Sequence, residues 1–167
     1  PLVNATQVPV DVQINYVSGG GAVNLPVRVS ALVRAKGLSF ADFSEFSFSP
    51  PQAGQQARSD EGEEENTASA DARVIADKMP ITLDKNGGGK RTIADVPKSR
   101  QPQDLLLEAT YSDPNGEVQT IRSTQTLWPA SVIAGIKTEG WVSSGQKIKF
   151  RALALDLSGK LRSRYAG

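Results

Sequence analysis

In the stretch VPVDVQINYVSGGG, residues 8–21, the first nine residues alternate strictly. Val8, Val10, Val12, Ile14 and Tyr16 are interleaved with Pro9, Asp11, Gln13 and Asn15. A period of two puts the apolar set on one face of a β-strand and leaves the other face wet. The run ends in a Ser-Gly-Gly-Gly turn, after which LPVRVSALVRAKG (25–37) repeats the pattern with Leu25, Val27, Val29, Ala31 and Val33 opposed to Arg28, Ser30 and Arg34. Pro26 stands near the start of this second strand, where a missing donor is tolerated.

Short β-rich runs bounded by turn residues follow in DARVIADKMPITLDKNGGGKRTIADVP (71–97), DLLLEATYSDPNGEVQTIRSTQTLW (104–128), SVIAGIK (131–137) and KIKFRALALDL (147–157). No segment carries a helical stripe of about 12 residues or more, so the chain reads as all-β, an antiparallel sandwich. Phe40, Phe43, Phe46 and Phe48, four of the five Phe, fall within FADFSEFSF. They read as core anchors, the last pair at strand spacing, in preference to a ligand-stacking platform.

Composition excludes more than it nominates. The 167 residues contain no Cys and no His, with a formal net charge of +1. Thiolate nucleophiles, the usual base near neutral pH and two common metal ligands are therefore missing together. No stretch reaches the roughly 18 apolar residues of a spanning helix, and PLVNATQVPV has no signal-peptide pattern. A secretion signal, if the parent is exported, is expected upstream of residue 1.

From residue 50 to about 70 the periodicity vanishes in a long polar stretch whose EGEEE run reads as a solvated acidic loop, and as a plausible protease target, rather than as a cation site or a carboxylate pair. DKNG (84–87), DPNG (113–116) and DLSG (156–159) share Asp at the first position and Gly at the last. That is the chemistry of a type I turn closed by a positive-φ glycine, and each tetrapeptide is expected to reverse a hairpin. An EF-hand loop would need further oxygen ligands and a late bidentate Glu. The turns and strand faces thus account for Asp11, Asp84, Asp113 and Asp156 without catalysis or metal. Lys147, Lys149 and Arg151, followed by Lys160, Arg162 and Arg164, form a basic ridge read as a solvated face, or a surface meant for the rest of a second domain, in preference to a nucleic-acid or lipid site.

Val10, Val12 and Ile14 match Ile148, Phe150 and Ala152 at an offset of about 138 residues, the spacing of one complete repeat. The chain then divides into a complete sandwich over 1–128, including the acidic loop at about 50–70, and the first strands of a following domain over 129–167. Such strands would depend on pairing with another chain or on docking against the first domain. Trp128-Pro129 stands at the boundary, either as a semi-rigid joint or as an ordinary core Trp ending the last strand.

The succession VDVQINYVSGGGAVNLPVRVSALV, FADFSEFSF, ITLDKNGGGKRTIADVP, LLLEATYSDPNGEVQTIRSTQT and VIAGIKTEGWVSSGQKIKFRALALDLSGK resembles consecutive macroglobulin domains of the bacterial alpha-2-macroglobulins. The resemblance implies scaffold from a broad-spectrum protease inhibitor of the periplasm or cell envelope, inner-membrane anchored, in which bait cleavage and a Cys–Gln thioester act elsewhere. Without Cys this chain cannot supply the thioester, and nothing marks the acidic run at 58–66 as the bait. The implied partners are proteases, met through the full-length parent, and neighbouring macroglobulin domains, with no nucleic acid and no membrane insertion here. No residue is nominated as catalytic, cofactor-binding or metal-binding, and no cofactor is expected. An immunoglobulin-like adhesive module would share this architecture, and a two-carboxylate enzyme is disfavoured because no acidic pair has a demonstrable separation suited to acid and base roles.

Overall fold

The computed structural model describes residues 1–49, 72–140 and 148–166. Ten strands run in chain order: β1 Leu2–Val3, β2 Val8–Gln13, β3 Pro26–Ala35, β4 Arg73–Thr82, β5 Gly88–Ile93, β6 Gln103–Ser112, β7 Val118–Trp128, β8 Val132–Glu139, β9 Lys149–Asp156 and β10 Leu161–Ala166. One 3₁₀ turn, Ala41–Phe43, is the sole helical element among the described residues. The all-β expectation holds. The EGEEE run and Lys147 lie outside the described residues.

Strands β1–β7 build a sandwich from a five-stranded sheet, ordered β1-β7-β6-β3-β4, and a two-stranded ribbon of β2 and β5. The alternation seen in the sequence is the alternation of burial: Val8, Val10, Val12 and Ile14 point from the ribbon toward Val27, Val29, Ala31 and Val33 of β3. Ile81, Leu83, Ile93, Leu105, Ala109 and Leu127 complete this core. Pro26 is the first residue of β3, and Pro9 is exposed on the ribbon, both positions where its missing N–H is tolerated.

The ribbon is tied to the sheet where two glycine-bearing loops touch. Ile14 N–H donates to the Gly87 carbonyl at 2.9 Å, and Ala22 N–H to the Ile14 carbonyl at 3.0 Å. A Cβ on Gly21 would lie 2.2 Å from the Asn86 backbone, and one on Gly87 would lie 2.3 Å from the Ile14 carbonyl oxygen. Only residues without a side chain permit this approach.

A second body is the three-stranded sheet β10-β9-β8. Its buried face carries Ile133, Leu153 and Leu155, and it is covered by Leu38, Phe40, Phe43, Phe46 and Phe48. The phenylalanines are thus core, but their core is not the one formed by β2–β7. They leave the sandwich between β3 and β4 and reach over to strands about 90 residues later, where Ser47 and Ile136 exchange backbone hydrogen bonds of 2.8 and 3.0 Å. Phe48 stacks edge-on against Phe40 at 4.9 Å between ring centres and fills the space left by Gly135, where a Cβ would be 2.5 Å from its ring.

The likeness of the two ends holds for strand type but not for facing. Val10, Val12 and Ile14 are buried, whereas Ile148 and Phe150, matched to the first two, are 61% and 42% exposed. In β9 the opposite parity, Leu153 and Leu155, faces inward. The matching row of larger side chains in ALALDL is the one that meets the aromatic arm.

Candidate interaction surfaces

The three Asp-led turns have one geometry. Asp84 Oδ1 accepts from the N–H groups of Asn86 and Gly88 at 2.7 and 3.0 Å, and Asp113 Oδ1 accepts from Asn115 and Glu117 at 2.9 Å each. Asp156 Oδ1 accepts from the Ser158 and Lys160 N–H groups at 2.9 and 3.0 Å, and from Ser158 Oγ at 2.6 Å. The closing glycines, Gly87, Gly116 and Gly159, have φ of 77, 84 and 84°. Two of the turns close the β6–β7 and β9–β10 hairpins. DKNG departs from the hairpin expectation, because β4 pairs with β3 while β5 pairs with β2, so this turn carries the chain from the sheet to the ribbon. Asp11 lies across from Lys90 at 3.4 Å. No group of three or more potential metal ligands occurs among the described residues.

Hydrogen bonds from the Gly88 and then the Asn86 N–H hold the Asp84 carboxyl below its ordinary 3.8. At Asp156 the Ser158 hydroxyl, and then the Lys160 N–H, do the same. Because the folded-state values are lowered, the stabilisation is present above pH 3.8 and is lost as pH falls through the folded values. Melting curves should therefore show the advantage of the wild type over an Asp84→Asn/Asp156→Asn double variant shrinking from about pH 5 to about pH 3. A constant difference across that window would refute the assignment.

At the boundary, Trp128 ends β7 beside buried Leu127, yet its half-buried indole packs on the second core. Its carbonyl accepts from Asn4 N–H at 2.7 Å. A groove of about 490 Å³ lies here, between Arg100, Pro102 and Trp128 on one side and Val132 and Ile136 on the other.

Within the basic ridge, Arg151 and Arg164 share the face of β9 and β10 that carries Leu153. Arg151 pairs with Glu139, and beside it Lys137 pairs with Glu45 while lying 5.2 Å from the centre of the Phe46 ring. Lys137, with Arg151 adding at longer range, holds the Glu45 carboxyl below its ordinary 4.5. The Lys137–Glu45 pair is not visible in the sequence, since 92 residues separate its members. The one available signal was Gly135 inside a strand pattern, which marks close approach by another group. Arg164 of β10 joins Lys137, Arg151, Phe43, Phe46 and Tyr165 around a groove of about 460 Å³.

Neither a family model nor a curated protein matches the chain. Solved structures do. Escherichia coli alpha-2-macroglobulin in its native conformation aligns with a TM-score of 0.65 at 18% identity, over 97% of this chain and 10% of the other. Escherichia coli alpha-2-macroglobulin activated by porcine elastase gives 0.62 at 20% identity, over 95% of this chain and 13% of the other. Salmonella alpha-2-macroglobulin reacted with methylamine gives 0.64 at 20% identity, over 97% and 11%. The chain has the fold of a segment of bacterial alpha-2-macroglobulin. The alpha-2-macroglobulin match extends over nearly all of the chain, and the chain spans about a tenth of each of those proteins.

Proposed function

We propose that the chain is a non-catalytic scaffold and interaction segment of a bacterial alpha-2-macroglobulin-like protease inhibitor located in the periplasm or cell envelope. Residues 1–128 form one macroglobulin-type sandwich, and residues 129–167 open the next, held to the first by the aromatic arm of Leu38–Phe48. Bait cleavage and protease capture belong to other parts of the longer polypeptide this reading implies, and proteases and adjoining macroglobulin domains are the partners. The observation that carries the reading is the match of the whole chain, both bodies together, to alpha-2-macroglobulin structures, one of them activated by porcine elastase and another by trypsin.

Seven of the described carboxylates support a structural role: those of the three turns accept backbone N–H groups, and Glu45, Asp104, Glu108 and Glu139 are paired with cations. The test is to incubate the polypeptide bearing this segment with porcine elastase and follow both by gel filtration. The reading expects elastase to elute with the larger protein after limited cleavage. Elastase eluting free, with the partner degraded or untouched, would overturn it.

A further inference from the structure

Two of the three Asp-led turns contain Asn-Gly, Asn86-Gly87 in DKNG and Asn115-Gly116 in DPNG. Asparagine before glycine is the pair most prone to deamidation, because the glycine nitrogen can reach the asparagine side-chain carbonyl carbon with no side chain of its own in the way. Both asparagines are exposed, and both glycine N–H groups donate to the carbonyl of the Asp that opens the turn, at 3.1 Å for Gly87 and 2.9 Å for Gly116. The turns differ in what surrounds them. Gln13 Nε2 donates to the Asn86 carbonyl at 2.8 Å, Ile14 N–H donates to the Gly87 carbonyl at 2.9 Å, and the backbone of Gly21 and Ala22 lies against the Asn86–Gly87 peptide. Among the described residues the hydrogen bonds of the DPNG turn stay within 113–117, and a Cβ on Gly116 would meet nothing within 4 Å. Gly87 is buried, whereas Gly116 is exposed.

We propose that Asn115 is a modification site that deamidates from the folded protein, while Asn86 is held inert until the ribbon parts from the sheet. Asn at the third position of a type I turn has ψ near zero, so ring closure requires rotating the Asn–Gly peptide out of the turn. At Asn115 that rotation breaks bonds local to the turn. At Asn86 it also breaks the contacts to β2 and to Gly21 and Ala22. The Gly116 nitrogen gives its proton to hydroxide and attacks Asn115 Cγ; the bond from Cγ to the side-chain nitrogen breaks, and ammonia leaves with a proton taken from water. Water then opens the succinimide at either ring carbonyl to give aspartate or isoaspartate, a net exchange of one water for one ammonia with no change of oxidation state. The product sets a third carboxylate between Asp113 and Glu117, and isoaspartate lengthens the backbone by one carbon. The turn loosens, while the β6–β7 ladder that it closes has ten further residue pairs to hold it.

The folded 167-residue chain should be kept in warm, mildly alkaline buffer, sampled over weeks and mapped by mass spectrometry of tryptic peptides, which places Asn86 in 86–90 and Asn115 in 101–122. A parallel series is run in urea. In the folded chain Asn115 should convert at least ~10-fold faster than Asn86, because one site opens locally and the other only with the sandwich. In urea the two rates should come within about 3-fold of each other, since the tertiary contacts are gone. Leu105→Ala, which weakens the sandwich core, should speed Asn86 and leave Asn115 as it was. Equal rates in the folded chain, conversion of Asn115 in urea alone, the same ratio with and without urea, or an Asn86 rate indifferent to Leu105→Ala would each overturn the proposal.

Discussion

Gly87→Ala is expected to destabilise the sandwich strongly, lowering its melting midpoint by roughly 10 °C. Gly87 has φ of 77°, where an alanine costs about 1–2 kcal/mol, and the added Cβ would sit 2.3 Å from the Ile14 carbonyl oxygen and 2.7 Å from the Ala22 amide nitrogen. Those atoms are backbone on both sides of the ribbon end, so nothing there swings aside as a flexible side chain would. Relief requires separating the Gly87 carbonyl from the Ile14 N–H, a bond of 2.9 Å that fastens β2 to the DKNG turn. Overpacking of this kind adds about 1–3 kcal/mol, and a total near 3 kcal/mol is a large part of what a domain of this size has. Thermal unfolding followed by circular dichroism should show the midpoint lowered by roughly 10 °C. Gly116→Ala makes the control, because its φ is also positive but a Cβ there meets nothing within 4 Å. Its cost should be the conformational part alone, and equal losses for the two variants would deny any role to the contact between the loops.

Phe48→Ala is expected to loosen the three-stranded sheet, although Phe48 precedes the first residue of that sheet by more than 80 positions. Phe48 is 9% exposed, packs with Ile133, Leu153 and Leu155, and covers Gly135, so its removal bares the middle of the β8–β9 pair. Truncating a buried Phe costs about 3–5 kcal/mol, and here it also removes the edge-on partner of Phe40 at 4.9 Å. The sandwich core, which contains none of these residues, should keep its own melting transition. Intrinsic fluorescence is informative here, since Trp128 packs on the second core: its emission should shift to the red in Phe48→Ala before the sandwich melts. Loss of both transitions together would contradict the separation.

Much of the fold was legible because strand alternation and burial follow the same period. β2 reads buried, exposed, buried, exposed along its whole length, and β3 nearly so. The Asp-led turns were legible for the same local reason, since the Asp accepts from N–H groups only two and four residues on. What sequence did not show is long-range. Nothing local distinguishes an aromatic arm that packs on its own sandwich from one that crosses to β8, because apolar burial has no direction. The turn at 84–87 looks like the other two, and only the pairing of β4 with β3 and β5 with β2 makes it a crossing between sheets. Facing in β9 is hidden in the sequence for a related reason. ALALDL alternates small and large side chains, and which row is buried depends on the Phe side chains that meet it. The groove around Lys137 was invisible because its residues come from the arm, β8, β9 and β10.

The described residues form two separate cores, and the aromatic arm belongs to the second although it lies within the sequence of the first. Leu105 and Leu155 are each fully buried, one in each core. Hydrogen–deuterium exchange of Leu105→Ala and Leu155→Ala, read by mass spectrometry, tests this directly. Leu105→Ala should speed exchange in β2, β3, β5 and β6 and leave β8, β9 and residues 38–48 unchanged, while Leu155→Ala should speed exchange in β8, β9 and 38–48 and spare the sandwich. Residues 38–48 loosening with Leu105→Ala, or either variant opening both sets of strands together, would contradict it.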